Sequence, residues 1–164
     1  MSGRALRAVR SPEKERPTWI FQANPAKYRI ADSLRAEKEE YWNLRQHARK
    51  VAPGDRVLIW FSGKRAGIYA LGTVRSAPAD TSDSPTGQAY WNDKKAGERV
   101  IPRAWVRYDR VLVDRPLLKD FIACDPDLWN LAILRQSQGT NFTVTEEEWQ
   151  ALQGWLEADI AGGN

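Results

Sequence analysis

The sequence predicts an α+β fold from three observations: short apolar and aromatic runs bounded by turn residues, one amphipathic stretch with a helical stripe, and a C-terminal segment opening on a helix-capping signature. The chain has 164 residues, 42 % of them hydrophobic and 28 % charged. That is one ordinary globular domain, long enough to bury a core. No apolar run approaches the roughly 20 residues of a membrane span. The basic N-terminus lacks the apolar stretch of a secretory signal, so a cytoplasmic site is expected.

Residues 1–16 alternate charges with Ser and Pro and read as a flexible basic arm. Pro17 leads into a first strand, Thr18-Trp19-Ile20-Phe21-Gln22-Ala23, which stops at the turn pair Asn24-Pro25 because the residue before proline is pushed out of helical space. From Asp32 or Ser33 to about Lys50 the spacing of Leu34, Tyr41, Leu44, Ala48 and Val51 fits one helical face, continuous or broken midway. Pro53-Gly54-Asp55 is a turn, and Val57–Ser62 is apolar enough for a central strand buried on both faces. Gly63–Gly67 then closes a hairpin with an antiparallel partner, Ile68–Val74. Residues 75–99 form a long polar loop holding Tyr90 and Trp91, a length that tends to be functional or disordered. A strand from Ala104 runs through Tyr108 toward Val113 and is closed by Pro116. A short helix from Asp125 carries Leu128, Trp129, Leu131 and Ala132. After a loop at Gln138–Phe142, Thr145 and Glu148 make a capping box for a last helix burying Trp149, Leu152, Leu156 and Ile160. The 161–164 tail is expected to be disordered. Four or five mainly antiparallel strands and two or three helices result, in one domain at 17–160.

Chemistry is limited by what is scarce. One cysteine, Cys124, excludes an internal disulfide, and with one histidine, His47, the usual zinc sets cannot form. No metal and no cofactor are expected. A hydrolytic triad would have to use His47, and no cluster of carboxylates suits a two-metal nuclease, so the chain is read as a non-enzyme. His47 is expected to be solvated and Cys124 buried. The net charge of +4 is concentrated in the arm, where five bases, Arg4, Arg7, Arg10, Lys14 and Arg16, face two acids. The rest is close to neutral, so charge alone decides nothing about partners. Eight tryptophans exceed what one small core readily uses, and some are free to meet a ligand.

The strand ending in Asn24-Pro25, the Pro-Gly-Asp turn, the Val57–Ser62/Ile68–Val74 hairpin and the Gln138–Phe142 loop before Thr145-Glu146-Glu147 together resemble an EVE domain, over about residues 17–160. EVE domains belong with YTH and ASCH domains to the PUA-like superfamily. The resemblance implies a partly open β-barrel flanked by helices, and a reader of modified bases. Val57–Ser62 is similar to the YTH central strand, and this anchors a residue-by-residue transfer. It places Asn24 where a YTH asparagine hydrogen-bonds the base edge. Trp42, with neighbouring Asn43, lies in the segment of the first cage tryptophan, Trp91 at the second, and Trp105 at a core tryptophan of the next strand.

On this reading a flipped, methylated or otherwise modified base of DNA or RNA sits between Trp42 and Trp91, above Trp60. Stacking on aromatic rings contributes about 1–3 kcal/mol per base. Asn24 reads the base edge, and Ser62 with Gln138, Gly139, Thr140 and Asn141 closes the pocket. Arg135, Lys64, Arg65, Arg10 and Arg16 hold phosphate. Each residue has a plainer alternative: Trp42 as a core ring on a broken helix, Trp91 as a loop anchor, Asn24 as a turn former, Trp60 as core, Ser62 as a backbone partner. The 138–142 loop could equally be a tight turn tucking Phe142 inward, and the arm a solvated tail. The chain is expected to be a monomer and to leave cleavage or signalling to a separate effector or nuclease chain. A protein-interaction module with exposed tryptophans is the alternative function, and a nucleotide-processing enzyme a weaker one.

Overall fold

A computed structural model describes residues 16–162, and side chains up to residue 158. Arg4, Arg7, Arg10 and Lys14 of the arm, the Ile160 side chain and residues 163–164 lie outside the described residues. The chain is built on one curled, mixed eight-stranded sheet. β1 (Thr18–Ala23) and β3 (Arg56–Phe61) run parallel, and β4 (Gly67–Val74) returns antiparallel to β3. β6 (Ile101–Val111) lies beyond β4 and pairs β2 (Glu39–Asn43) at one edge, while β8 (Asn141–Val144) borders β1 at the other. Short strands β5 (Ala79–Thr81) and β7 (Leu117–Leu118) extend β6 and β4. Irregular registers within β3/β4 and β4/β6 bend the ladder. Bulges of this kind raise local twist and help a sheet curl into a part-barrel.

The two faces of the sheet carry separate cores, as alternation along each strand requires. Trp19, Phe21, Val57, Ile59 and Phe61 point to one, with Leu34 of α1 (Ile30–Ala36) and Trp42. Ile20, Leu58 and Trp60 point to the other, under α4 (Lys119–Ala123), α5 (Ala132–Arg135) and α6 (Glu146–Gly162). β3 is buried at every residue and lies inside the sheet, as its unbroken apolar run requires. The α6 start is the expected reciprocal cap, with Glu148 N–H donating to Thr145 Oγ1 at 3.1 Å and Thr145 N–H to Glu148 Oε1 at 2.9 Å. Burial of Trp149, Leu152 and Leu156 ties it down, at about 1.5–3 kcal/mol per large apolar side chain.

Several expectations are corrected. The helix expected to about Lys50 ends at Ala36, and Glu37 is already extended at φ −105°, ψ 145°. Residues 39–43 form β2 instead, because β6 needs a ladder partner and Glu40 and Trp42 alternate inward with period two. The long polar loop is structured, containing β5, α2 (Pro85–Gln88, capped by Ser84) and α3 (Lys94–Glu98, capped by Asp93). The helix expected from Asp125 is a run of turns that buries Leu128 and Leu131 but leaves Trp129 68 % exposed. Cys124 is exposed rather than buried. His47 is half-buried against Trp19, with ring centroids 5.4 Å apart, not on a solvated helix face. Trp105 is half-buried, its Nε1–H donating to Glu39 at 2.6 Å. The last helix runs to Gly162, into the expected tail. Eight strands and six helices stand among the described residues, more than the sequence suggests, because the extra ones are two to five residues long.

Candidate functional site

Parallel β1 and β3 end at the same level, Ala23 opposite Phe61, and the Ser62 N–H donates to the Ala23 carbonyl at 3.0 Å. Beyond those strand ends opens a cleft of about 650 Å³. Trp60, only 2 % exposed, is its floor beside Ala23 and Ser62. Trp42 and Asn43 of β2 form one wall. The turn Asn24–Tyr28 and Trp91 form another, with Trp91 meeting Tyr28 edge-on at 4.7 Å between centroids. The third wall is Ser137, Gln138, Gly139 and Thr140.

Each wall is fixed by hydrogen bonds that its sequence supplies. Asn24 Oδ1 accepts from Ala26 N–H at 2.9 Å, an Asx turn that commits the oxygen. Its Nδ2 has no hydrogen bond among the described residues, and the residue lines the cleft. Gln22 Nε2 donates to the carbonyls of Ser137 (2.9 Å) and Gly139 (2.8 Å), pinning the third wall to β1. Gln46 Oε1 accepts from Thr140 N–H at 2.8 Å and Asn141 N–H at 3.0 Å. Asn141 answers with Oδ1 to Arg45 and Gln46 N–H and Nδ2 to the Asn43 carbonyl. Gly139 sits at φ +144°, a conformation that favours glycine, with Phe142 beneath it.

Behind the aromatic walls lie two buried carboxylates. Glu40 accepts from Tyr28 Oη–H on Oε1 at 2.5 Å, and from Ser33 Oγ–H at 3.0 Å and Tyr108 Oη–H on Oε2. Trp42 Nε1–H donates to Tyr108 Oη at 2.9 Å, so the ring is held through the same network. Asp83 Oδ2 accepts from Trp91 Nε1–H at 2.8 Å and stands 4.0 Å from Arg103, a fully buried guanidinium that also donates to Asn43 Oδ1. Burial pushes the Glu40 carboxyl up while its three hydroxyl donors pull it down. Burial also raises Asp83, against the Trp91 hydrogen bond and Arg103, and lowers Arg103 against Asp83.

Of the residues expected to bind a base, Asn24, Trp42, Asn43, Trp60, Ser62, Trp91, Gln138, Gly139 and Thr140 all line the cleft. Asn141 stands behind it as the staple between two walls. Trp42 is on a strand and 7 % exposed, not on the outside of a helix. Of the residues expected to hold phosphate, Arg135, Lys64 and Arg65 are exposed but not part of the lining. Arg16 donates to the Gly54 carbonyl at 2.7 Å and to Thr73 Oγ1 at 3.2 Å, near the opposite end of β3. Arg10 lies outside the described residues.

Sequence reasoning missed Lys27 and Lys119 at the cleft rim and read Arg45, with Arg35, Lys38, Arg49 and Lys50, as part of a solvated face; all three rim cations are exposed, and their side chains make no hydrogen bond or ion pair among the described residues. They come from three separate segments, so no local charge run announces the three together. Glu40 was missed as well, because its inward alternation with Trp42 becomes visible only once residues 39–43 are known to be a strand. No group of three His, Cys, Asp or Glu side chains among the described residues could hold a metal ion. No described helix is long and apolar enough to cross a membrane.

The sequence model of the EVE domain matches residues 17–154. No curated protein sequence matches the chain. Among solved structures, a hypothetical protein from Leishmania major superposes with a TM-score of 0.68 at 19 % identity, covering 89 % of this chain and 98 % of that one. The crystal structure of human THYN1 protein in complex with 5-methylcytosine containing DNA gives 0.62 at 15 % identity, over 85 % and 96 %. An ASCH protein variant from Zymomonas mobilis gives 0.52 at 12 %, over 85 % and 96 %.

Proposed function

The chain belongs to the EVE domain family, and from that premise we propose that its cleft binds one modified base flipped out of DNA or RNA, without catalysis. The observation that carries this reading is the joining of an aromatic floor and walls to a rim of free cations in a cleft of about 650 Å³. Ligand sites commonly span about 300–1,000 Å³, and one base fits within that. Half-buried Trp91 supplies the main stacking face, with Trp42 and Trp60 closing the cleft around it, and stacking offsets the few kcal/mol that unstacking costs. The Asn24 amide donates to the base edge, and Ser62 with Gln138, Gly139 and Thr140 closes over it. Lys27, Arg45 and Lys119 hold the flanking phosphates, with Arg135, Lys64 and Arg65 farther out. The DNA complex of human THYN1, a protein of the same fold, supports a nucleic-acid ligand. A cutting or signalling step falls to a separate effector chain.

Labelled DNA and RNA strands bearing one modified base, its unmodified parent or an abasic site at the same position test the proposal by anisotropy titration. Tighter binding of the modified strand is expected, and equal affinity for all three strands overturns it. Exposed Phe121 (55 %) and Trp129 (68 %) favour a second reading, a protein-docking module. On that reading Trp129→Ser removes binding to a partner chain and leaves the nucleic-acid titration unchanged.

A further inference from the structure

Arg103 is fully buried on β6, directly across from Asn43 of β2, the strand that forms one cleft wall. Its Nε–H donates to the Thr81 carbonyl at 3.0 Å, and Nη2 donates to the carbonyls of Ala96 at 3.3 Å and Arg99 at 3.1 Å. Nη1 donates to Asn43 Oδ1 and stands 4.0 Å from Asp83 Oδ2, the oxygen that also accepts from Trp91 Nε1–H. One planar fork therefore ties the segment that carries Trp91 to the strand that carries Asn43. A lysine, with its donors on a single atom, cannot reach acceptors spread around such a fork.

These contacts decide which way an amide faces. A guanidinium has no acceptor, so the atom that Asn43 turns toward Nη1 is its oxygen, and Nδ2 is the atom left over. Asn43 Nδ2 has no hydrogen bond among the described residues. No side-chain nitrogen or oxygen among those residues is both shielded from solvent and unpartnered, so Nδ2 is accessible, and Asn43 lines the cleft. Trp60 Nε1–H at the floor is accessible and unpartnered by the same reasoning. In the Asn24 turn the amide oxygen is likewise committed, to Ala26 N–H, and the nitrogen is free. Floor and two walls thus each offer a donor, and a buried cation sets one of them.

We propose that Arg103 is a positioning residue for the cleft: by taking Asn43 Oδ1 it presents Asn43 Nδ2 to the ligand, which is recognised through an acceptor, a carbonyl oxygen or an unprotonated ring nitrogen of the base. The inference rests on the base-reading function proposed above and deepens that reading of the same cleft. An amide free to turn over offers a donor or an acceptor and discriminates little between ligands. An amide whose oxygen is held by a buried charge offers only the donor, and a base without an acceptor at that point leaves the donor unmet.

Single-stranded oligonucleotides with thymine, adenine or 5-methylcytosine at one position of a fixed sequence, and an abasic control, are titrated against the full chain. Thymine offers carbonyl oxygens and no unprotonated ring nitrogen, adenine the reverse, so these two arms separate the acceptors. The readout is the affinity ratio of each base strand to the abasic strand. Asn43→Asp keeps the shape and an oxygen for Arg103 but turns a second oxygen into the cleft. It is expected to lower the highest ratio by at least about fivefold, the size of one hydrogen bond. Arg103→Lys is expected to lower that ratio about fivefold in the folded protein, and to change it little on an Asn43→Leu background, where no amide remains to be oriented. A merely structural Arg103 would lower the melting temperature and leave the ratio intact, which overturns the proposal, as does an equal loss with and without Asn43. The Asn43 side-chain amide signals in a ¹⁵N spectrum of the parent need no variant to fold. They are expected to shift with the tightest base strand and not with the abasic one, and unmoved signals overturn the proposal. A parent ratio above one that Asn43→Asp leaves unchanged removes this inference while base reading stands. A ratio of one for every base strand removes both.

Discussion

Glu40 shows how a single residue ties stability to the site. Burial raises its carboxyl pKa above the ordinary carboxylate value, so between the unfolded and folded values the folded state holds the proton and the unfolded chain does not. The stability it contributes is complete below the unfolded value and is lost as pH rises through the folded one. Comparing melting temperatures of the parent and Glu40→Gln should therefore show the parent losing ground as pH rises from about 4, near the ordinary Glu value. A constant difference across that range would show that burial does not shift the group. Gly87 bears on the neighbouring carboxylate, since a Cβ there would run into Asp83 Oδ1 and Oδ2. Gly87→Ala should displace Asp83 and loosen Trp91, lowering thermal stability by about 1–3 kcal/mol and weakening oligonucleotide binding. Asn24, Trp91 and the 138–140 loop were named from the sequence because their local motifs are compact. Glu40, Lys27 and Lys119 were not, and Arg45 was read as part of a solvated face, because what they share is created only by the sheet.

Local signals served some elements well and misled for β2. The Thr145/Glu148 box, the hairpin and β1 are written in consecutive residues with defined turn chemistry, so they could be read without tertiary information. β2 could not, because Leu34, Tyr41 and Leu44 fall at helical spacing while the strand is stabilised by the edge of β6, far away in the sequence. Its Tyr41 sits opposite Trp105 with centroids 4.6 Å apart, a cross-strand aromatic pair that propensity within a window does not see. The partly open barrel was therefore legible by resemblance and the true edge strand was not. Thr145→Ala should cost about 1 kcal/mol of stability in denaturant unfolding and leave binding unchanged, because the cap lies on α6 and outside the cleft lining. Asn141→Ala should do more to function: it removes three hydrogen bonds to residues 43–46, leaving Gln46 as their tie to β8, and binding should weaken even where the melting temperature falls only slightly.

For the molecule as a whole, the parallel β1/β3 pair is the feature that makes a site, since it opens two strand ends into one cleft and lets the surrounding turns place cations around it. Charge reversal along that cleft, basic outside and carboxylate inside, was invisible in a body whose net charge is nearly neutral. If the rim holds phosphate, replacing Lys27, Arg45 and Lys119 by Gln should weaken modified and abasic strands alike. The log–log salt slope should fall by about 0.7 per cation on single strands and 0.9 on duplex DNA. An unchanged slope would move the phosphate contacts elsewhere, toward Arg135 and the hairpin loop. If the cleft stacks a base, the affinity ratio between a modified strand and its abasic counterpart measures that stacking with the phosphate contribution divided out. A ratio well above one is expected in the parent, lowered about five- to 150-fold by Trp91→Ala, as follows from about 1–3 kcal/mol of stacking, and largely restored by Trp91→Phe. A ratio of one in the parent, or a ratio that Trp91→Ala leaves intact in a folded protein, would contradict base stacking in the cleft.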